Sequence, residues 1–409
     1  MNEDTANSKS TTRRAYLKYG SAVVGGGLLA GCTGQSDSGT AETDTSTETT
    51  SESGTGSPTE TDTSYEVCME PNGCHTLDTV PEDFLVYHQG PVDMVLSLGQ
   101  LDGLVAAAFP STFPTGYFDQ LPGISVELDD VTALSEDGTP DKELFYELDV
   151  DLHLVGHHPA MEYFEFDETD LAELEENVAP FHGSWMRRPD YTDGHPYYGL
   201  YEGLDRYAEV FQTKARGQAF RAIHDDLVGN LTAELPPSEE RPSVAYLNTN
   251  YWGDGKTVYA RDPTVPGYQT KPLRDLGVPE HDAFAGQYPD DSNFIKGDFE
   301  LLLDVDPEVI VYHAGMNVLR DPEKSFENDI LEPLRQDPVA GEVRAIDEGR
   351  VYPFHEFEQG PVINLFNTEL LSKALYPETF GSPTGMEAPP EEEQLFDRQR
   401  VADIIDGDI

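Results

Sequence analysis

The chain is poor in positive charge, in cysteine and in long apolar runs. Its 409 residues hold 25 Lys and Arg against 78 Asp and Glu, a formal net charge of −53. No basic stripe exists to neutralise phosphates, so nucleic acid is excluded as a partner. Such an excess of acid, with few apolar residues, would mean disorder. Here 37% of residues are hydrophobic and 10% aromatic, so most of the chain should fold. The acids are spread along the whole sequence. They read as a solvated surface suited to concentrated salt, where the screening length falls to about 3 Å at 1 M. Catalytic signatures are missing too. There is no Gly-x-Ser-x-Gly elbow, no Walker loop, no Gly-x-Gly-x-x-Gly after a strand and no His-Glu-x-x-His. Paired carboxylates carry no information in this composition.

The amino end reads as an address. Thr11-Thr12-Arg13-Arg14-Ala15-Tyr16-Leu17-Lys18 has the twin-arginine export pattern. The apolar run from Ser21 to Ala30 is shorter than the ~20 residues a spanning helix needs. It ends in Leu29-Ala30-Gly31-Cys32, similar to a lipobox, in which Cys32 would take a lipid after cleavage. The expectation is a signal peptide over 1–32 and an extracytoplasmic protein anchored to the cell membrane by lipid. An uncleaved membrane anchor is the alternative. Residues 33–64 are Ser, Thr, Gly, Asp and Glu, with almost nothing to offset the entropy of ordering, and read as a flexible tether. Asn230-Leu231-Thr232 is one glycosylation sequon.

Two further cysteines, Cys68 and Cys74, flank Met69-Glu70-Pro71-Asn72-Gly73. Asn-Gly is a hairpin-turn signal. A disulfide closing this hairpin is the favoured reading, with two free thiols or soft-metal ligands as the alternatives.

Beyond Thr76, short apolar runs alternate with amphipathic stretches. Phe84–His88, Leu104–Ala108, Ser243–Leu247, Val258–Arg261, Glu308–Tyr312 and Arg350–Phe354 read as strands, and Pro91–Gln100 as a helix. The alternation predicts an α/β fold with mainly parallel sheets. Apolar residues at helical spacing from Leu204 to Leu231 predict one long helix over Glu202–Glu234, ended by Pro236-Pro237. Two ordinary helices with a kink near Gly217 or Gly229 are the alternative.

An internal repeat is the most informative feature. Glu143-Leu-Phe-Tyr-Glu-Leu-Asp-Val-Asp-Leu-His-Leu-Val155 matches Glu300-Leu-Leu-Leu-Asp-Val-Asp-Pro-Glu-Val-Ile-Val-Tyr312. Each opens a short helix with Glu, passes an acidic turn and enters a strand. One copy per half implies two lobes on one plan. Ligands of parallel sheets bind beyond the carboxyl ends of the strands, so Gly156-His157-His158-Pro159 and His313-Ala314-Gly315-Met316 should face each other across a cleft.

Here the sequence resembles a family over roughly residues 76–380, the ABC-importer solute-binding proteins for siderophores, cobalamin and haem. Gly90-Pro91-Val92-Asp93-Met94-Val95-Leu96-Ser97-Leu98-Gly99 looks like that family's first helix. Glu300 to Val311 looks like its Glu-x-Leu-Leu signature. Ala340 to Val351 looks like the run before its last strand, and Leu371 to Phe380 like its closing helix. The resemblance implies two Rossmann-like lobes joined by one long helix: an N-terminal lobe over 65–201, the linking helix over 202–234 and a C-terminal lobe over 235–384. Residues 385–409, rich in Glu and Asp, read as an acidic, mobile tail with some helix at Glu391 to Ile405. The resemblance implies a monomer that carries a metal chelate, a ferric siderophore above all, to a permease and its ATPase, with no permanently bound cofactor. It also gives Glu143 and Glu300 the role of docking on the permease, although Val150 stands where the family usually has Pro.

A chelate calls for aromatic walls and a few placed polar groups. The candidate contacts are Tyr87, His88, Tyr117, His157, His158, Trp185, Arg187, Arg188, Tyr251, Trp252, His313 and His355. Tyr163, Asn250 and Asn317 also follow predicted strands, and Tyr191, His195, Tyr197 and Tyr198 come soon after the arginine pair. Adjacent arginines are scarce in so acidic a chain, and guanidinium groups bind carboxylates or catecholates in paired hydrogen bonds. The plain alternatives are structural His and Tyr side chains, and surface pairing for the arginines. A bare Zn, Mn or Fe site would need three or four ligands from both lobes, and no His-x-x-x-His supports it. A non-transport surface protein and a secreted hydrolase complete the alternatives.

Overall fold

The computed structural model describes residues 64–134, 139–189, 194–249, 256–313, 324–354, 359–385 and 387–409. The signal peptide, Cys32 and nearly all of the tether lie outside them, as do Tyr191, Asn250, Tyr251, Trp252, Asn317 and His355.

The described chain opens with a hairpin of β1 (Tyr65–Met69) and β2 (Gly73–Leu77). Cys68 pairs with Cys74 across it, and the two are joined by a disulfide. Gly73 takes φ 78° behind Asn72, a left-handed turn that glycine adopts without a Cβ penalty. Four parallel strands follow: β3 (Phe84–Val86), β4 (Leu104–Ala107), β5 (Thr132–Ala133) and β6 (Leu152–Leu154), in the order β5-β4-β3-β6. Three helices matter to the site: α1 (Gln89–Ser97), α2 (Lys142–Leu148) and α3 (His157–Tyr163).

The long rod expected over Glu202–Glu234 is two helices, α4 (Leu200–Val210) and α5 (Lys214–Glu234). The break falls at Phe211–Thr213, not at Gly217 or Gly229. Gln212 takes φ 54° there, and Thr213 N–H donates back to Ala208 O at 2.8 Å. The helices then pack together. Ala208 and Gly217 are small enough for close approach, and Arg221 bridges to Asp205 at 2.6 Å. The connecting helix proper is α5, whose 21 residues span about 31 Å.

The second sheet is separate, in the order β11-β10-β7-β8-β9. It holds β7 (Val244–Asn248), β8 (Val258–Arg261), β9 (Phe294–Gly297), β10 (Val309–Tyr312) and β11 (Val351–Pro353). The β7, β10 and β11 strands run parallel; β8 and β9 turn antiparallel at one edge. Two sheets, each mainly parallel, match the expected α/β architecture.

The internal repeat is structural. Asp141 caps α2 by accepting from Glu143 N–H, and Asp298 caps α6 (Phe299–Val305) by accepting from Leu301 N–H. Each helix ends in a left-handed aspartate, Asp149 at φ 47° and Asp306 at φ 41°. Each then leads into a strand, β6 or β10, at the same offset. Val150 is buried where the second copy has Pro307.

Two more helices decide how the halves are held. All 15 residues of α7 (Pro361–Leu375) are buried. Its amino end meets Asp93 of α1, whose carboxylate accepts from Val362 N–H at 3.3 Å, Ile363 N–H at 3.0 Å and Ser97 Oγ at 3.0 Å. A helix amino end welcomes an acceptor. The tail carries a helix within the stretch where one was expected, but it is packed rather than mobile. In α8 (Arg398–Asp406), Val401, Ala402 and Ile404 are buried in the same core as α1. Arg398 lies between the rings of Phe366 and Phe396 and pairs with the buried Glu369, which Lys373 also approaches at 3.4 Å. A buried charge survives only when paired and packed in this way, so the acidic tail is part of the first lobe's wall.

Full burial pushes the Asp93 carboxyl up to about 7, against the hydrogen bonds that lower it. The folded state therefore keeps a proton that the unfolded chain has lost above about pH 4. Stability from this group falls as pH rises from about 4 to about 7, then levels. Asp93→Asn should remove that part of the slope, read as the pH 5 to pH 8 difference in denaturant midpoint at fixed salt. Replacing Cys68 and Cys74 together with Ser should lower the unfolding free energy by about 2 kcal/mol, as a short closed loop predicts; urea titration measures it.

Candidate functional site

The carboxyl ends of β3, β4 and β6 carry a wall of rings. Tyr87 follows β3 directly. Its ring lies 5.3 Å from Tyr163, 5.3 Å from His88 and 5.8 Å from Trp185. Trp185 stands 4.9 Å from Tyr163 and 5.8 Å from His158, and His88 stands 5.7 Å from Phe109. These pairs are tilted or edge-to-face, the arrangement ring quadrupoles prefer. Four of the expected contacts, Tyr87, His88, His158 and Trp185, thus share one surface. Phe109, more than a third exposed, was not foreseen; its signal was a large apolar residue just past a strand end.

Between Tyr87, His88, Pro91, Trp185 and Tyr268 lies a recess of about 30 Å³. That volume holds a water or two, so it is a foothold for one ligand group. Tyr268 belongs to the second half, so the recess lies where the halves meet. There the backbone of Arg187 presses on Gly267; a Cβ at Gly267 would stand 2.3 Å from Arg187 O, so only glycine fits. Arg187 and Arg261 lie close enough to Tyr246 for their charges to oppose the rise that burial imposes on its hydroxyl. Arg187 and Arg188 both stand beside Gly267 at this junction, and Arg261 acts on the same Tyr246 as Arg187, in a chain with only 25 basic residues. Arg261 ends β8 and was missed, although the scarcity that marked Arg187 and Arg188 applies equally to it.

Other expected contacts lie elsewhere. Tyr117 is buried against Phe366 at 5.3 Å, beside Glu369, Lys373 and Arg398, and belongs to the packing around α7. Its place in a short helical turn that docks on α7, invisible to local spacing, takes it out of the wall. His157 instead shares a 2.9 Å hydrogen bond with Glu175 and packs on Phe181. His313 is buried at the end of β10, where its Nδ1 shares a 2.5 Å hydrogen bond with Tyr246 Oη. It can brace Tyr246 beneath the arginines rather than present itself at the surface.

Glu143 and Glu300 occupy the second position of α2 and α6 and are exposed. The capping is done by Asp141 and Asp298. Among the described residues neither glutamate side chain has a hydrogen bond or ion pair, so both carboxylates are available to a partner. Among these residues, the single group of three His, Cys, Asp or Glu with converging ligand atoms is Glu66, Cys68 and Cys74, two of them in the disulfide.

No family model and no curated protein matches the chain. Solved structures do. A periplasmic binding protein from Veillonella parvula aligns with a TM-score of 0.55 at 17% identity, over 77% of this chain and 98% of its own. The petrobactin-binding protein YclQ from Bacillus subtilis aligns at 0.54 and 14%, over 80% and 99%. PiuA, an iron-uptake ABC transporter substrate-binding protein from Streptococcus pneumoniae, aligns at 0.54 and 13%, over 77% and 100%. With two parallel-stranded halves, a connecting helix and rings gathered at the strand ends, the chain has the two-lobed fold of these periplasmic binding proteins.

Proposed function

We propose that this protein is the extracytoplasmic solute-binding component of an ABC importer, and that it carries a ferric siderophore to the permease. The observation that carries the reading is the pairing of an aromatic wall with three arginines at the junction of the halves. Rings accommodate the organic shell of a chelate, and guanidinium groups take its carboxylate or catecholate oxygens. In a chain of charge −53, any anion reaching the cleft must find a local positive field. That favours an anionic chelate over cobalamin or a bare cation, which the acidic surface would attract without help from arginine. The solved structures named for petrobactin binding and iron uptake agree with this choice.

Delivery follows from the repeat. Glu143 and Glu300, one per half at matching helix starts, are free to meet basic residues of a permease whose ATPase drives release. The twin-arginine pattern and Cys32 place the protein outside the membrane on a lipid anchor, with residues 33–64 as the tether. No described helix is long and apolar enough to cross a membrane. The dispersed acids suit a solvent of high salt.

Ferric siderophores added to the purified protein in high salt should quench Trp185 with saturable, one-to-one binding. Arg187→Ala should weaken that binding about 10- to 100-fold, the worth of a charge-assisted hydrogen bond. Quenching by haem or cobalamin with no response to ferric siderophores would reverse the ligand assignment. Replacing Glu143 and Glu300 together with Ala should abolish uptake into cells while affinity stays unchanged; equal loss of both would remove the docking role.

A further inference from the structure

Under the β1–β2 hairpin two imidazoles meet. His75 lies opposite Val67 in the hairpin register, and Val67 and Met69 are buried, so this face points into the protein. His182 is wholly buried, with its backbone N–H donated to His153 O at 2.8 Å. The two rings stand edge to face, 5.6 Å between centroids. Among the described residues no group lies within hydrogen-bond reach of either ring nitrogen of His182, or of the buried Nε2 of His75. Leaving such atoms unsatisfied in a dry interior is costly, and each instance calls for an explanation.

We propose that His75 and His182 bind one cuprous ion between them. The ligand set decides the ion. No described carboxylate or thiolate converges with the two imidazoles to make a third or fourth ligand. Structural zinc sites need four ligands, whereas a cuprous ion is satisfied by two in a line. Imidazole and thioether donors both suit copper. The thioether of Met69 is on the inward hairpin face, diagonal to His75 and within reach of a long side chain. Charge points the same way. The Arg206 guanidinium acts on His182 against added positive charge, and Glu209, its 3.1 Å partner, only offsets it. A single positive charge is easier to bury there than two. Burial holds His182 down to about 4, so its ring is neutral and can ligate at neutral pH. The site is distinct from the aromatic wall, since neither His lines the recess at Tyr87 and Trp185. A bound ion would fasten the hairpin to the first lobe and stabilise the fold by mass action.

The test is competition for copper. The full chain, with ascorbate present and its disulfide verified by thiol counting, is titrated into the coloured cuprous–bicinchoninate complex. Wild type should withdraw one equivalent of copper, and its unfolding temperature should rise. His75→Gln, at a half-buried position, and His182→Phe, of similar volume, should each withdraw none. His281→Gln should behave as wild type. X-ray absorption of the copper-loaded chain should show low coordination by imidazole nitrogen. A wild-type chain that leaves the colour unchanged overturns the proposal. So does full stoichiometry in His75→Gln, or zinc binding that displaces copper.

Discussion

The fold depends on how the amino end of α7 is satisfied. This helix is buried along its whole length, so its free N–H groups have no water to turn to. Asp93, from the opposite end of the sequence, supplies the acceptor. The cost is a carboxylate in a dry place, visible in the upward push on its titration. The gain is positional. The α1 helix begins beside the recess at His88, and α7 packs against helices of both halves. The hydrogen bonds of Asp93 therefore fix the wall of rings relative to the core on which the second half rests.

Charge is managed by location. The surface carries the acids, where solvent and salt screen them. Inside, charges come in closed sets. Arg398 is paired with Glu369 and held between two rings, and Asp275 is paired with Lys271 at 2.8 Å and hydrogen-bonded to His224 at 3.0 Å. The arginines at the junction of the halves are the exception to an acidic surface, and they stand beside the aromatic wall. An anionic cargo of the kind proposed above would meet these few cations there.

Much of the architecture was legible from spacing. The strands at β3, β4, β7, β8, β10 and β11 announce themselves as apolar runs bounded by turns, and the hairpin by Asn72-Gly73. The duplicated helix–turn–strand unit was readable because its caps and acidic turns recur at the same offset. Part of the wall could be found as well, because Tyr87 and His88 close a strand and Trp185 stands beside the rare pair Arg187-Arg188. The two-helix form of the connector could not. The break at Gln212 uses neither Gly nor Pro, and the apolar spacing runs on through it. The tail's helix was legible, but its docking was not, for a related reason. Its composition is polar and acidic, yet Val401, Ala402 and Ile404 find a groove made by elements far away in sequence.

The sequence by itself determined the alternation of elements, the duplication and the balance of charge, because these rest on local periodicity and composition. Only the tertiary structure decided which aromatic side chains share a surface. Tyr117 and Tyr87 were equal candidates by residue type, but one packs on Phe366 of α7 and the other on Trp185. Only folding set Arg261 and Arg187 around Tyr246, and His182 beneath His75. Such meetings depend on contacts between distant segments, and burial, not residue type, sets what each group can bind.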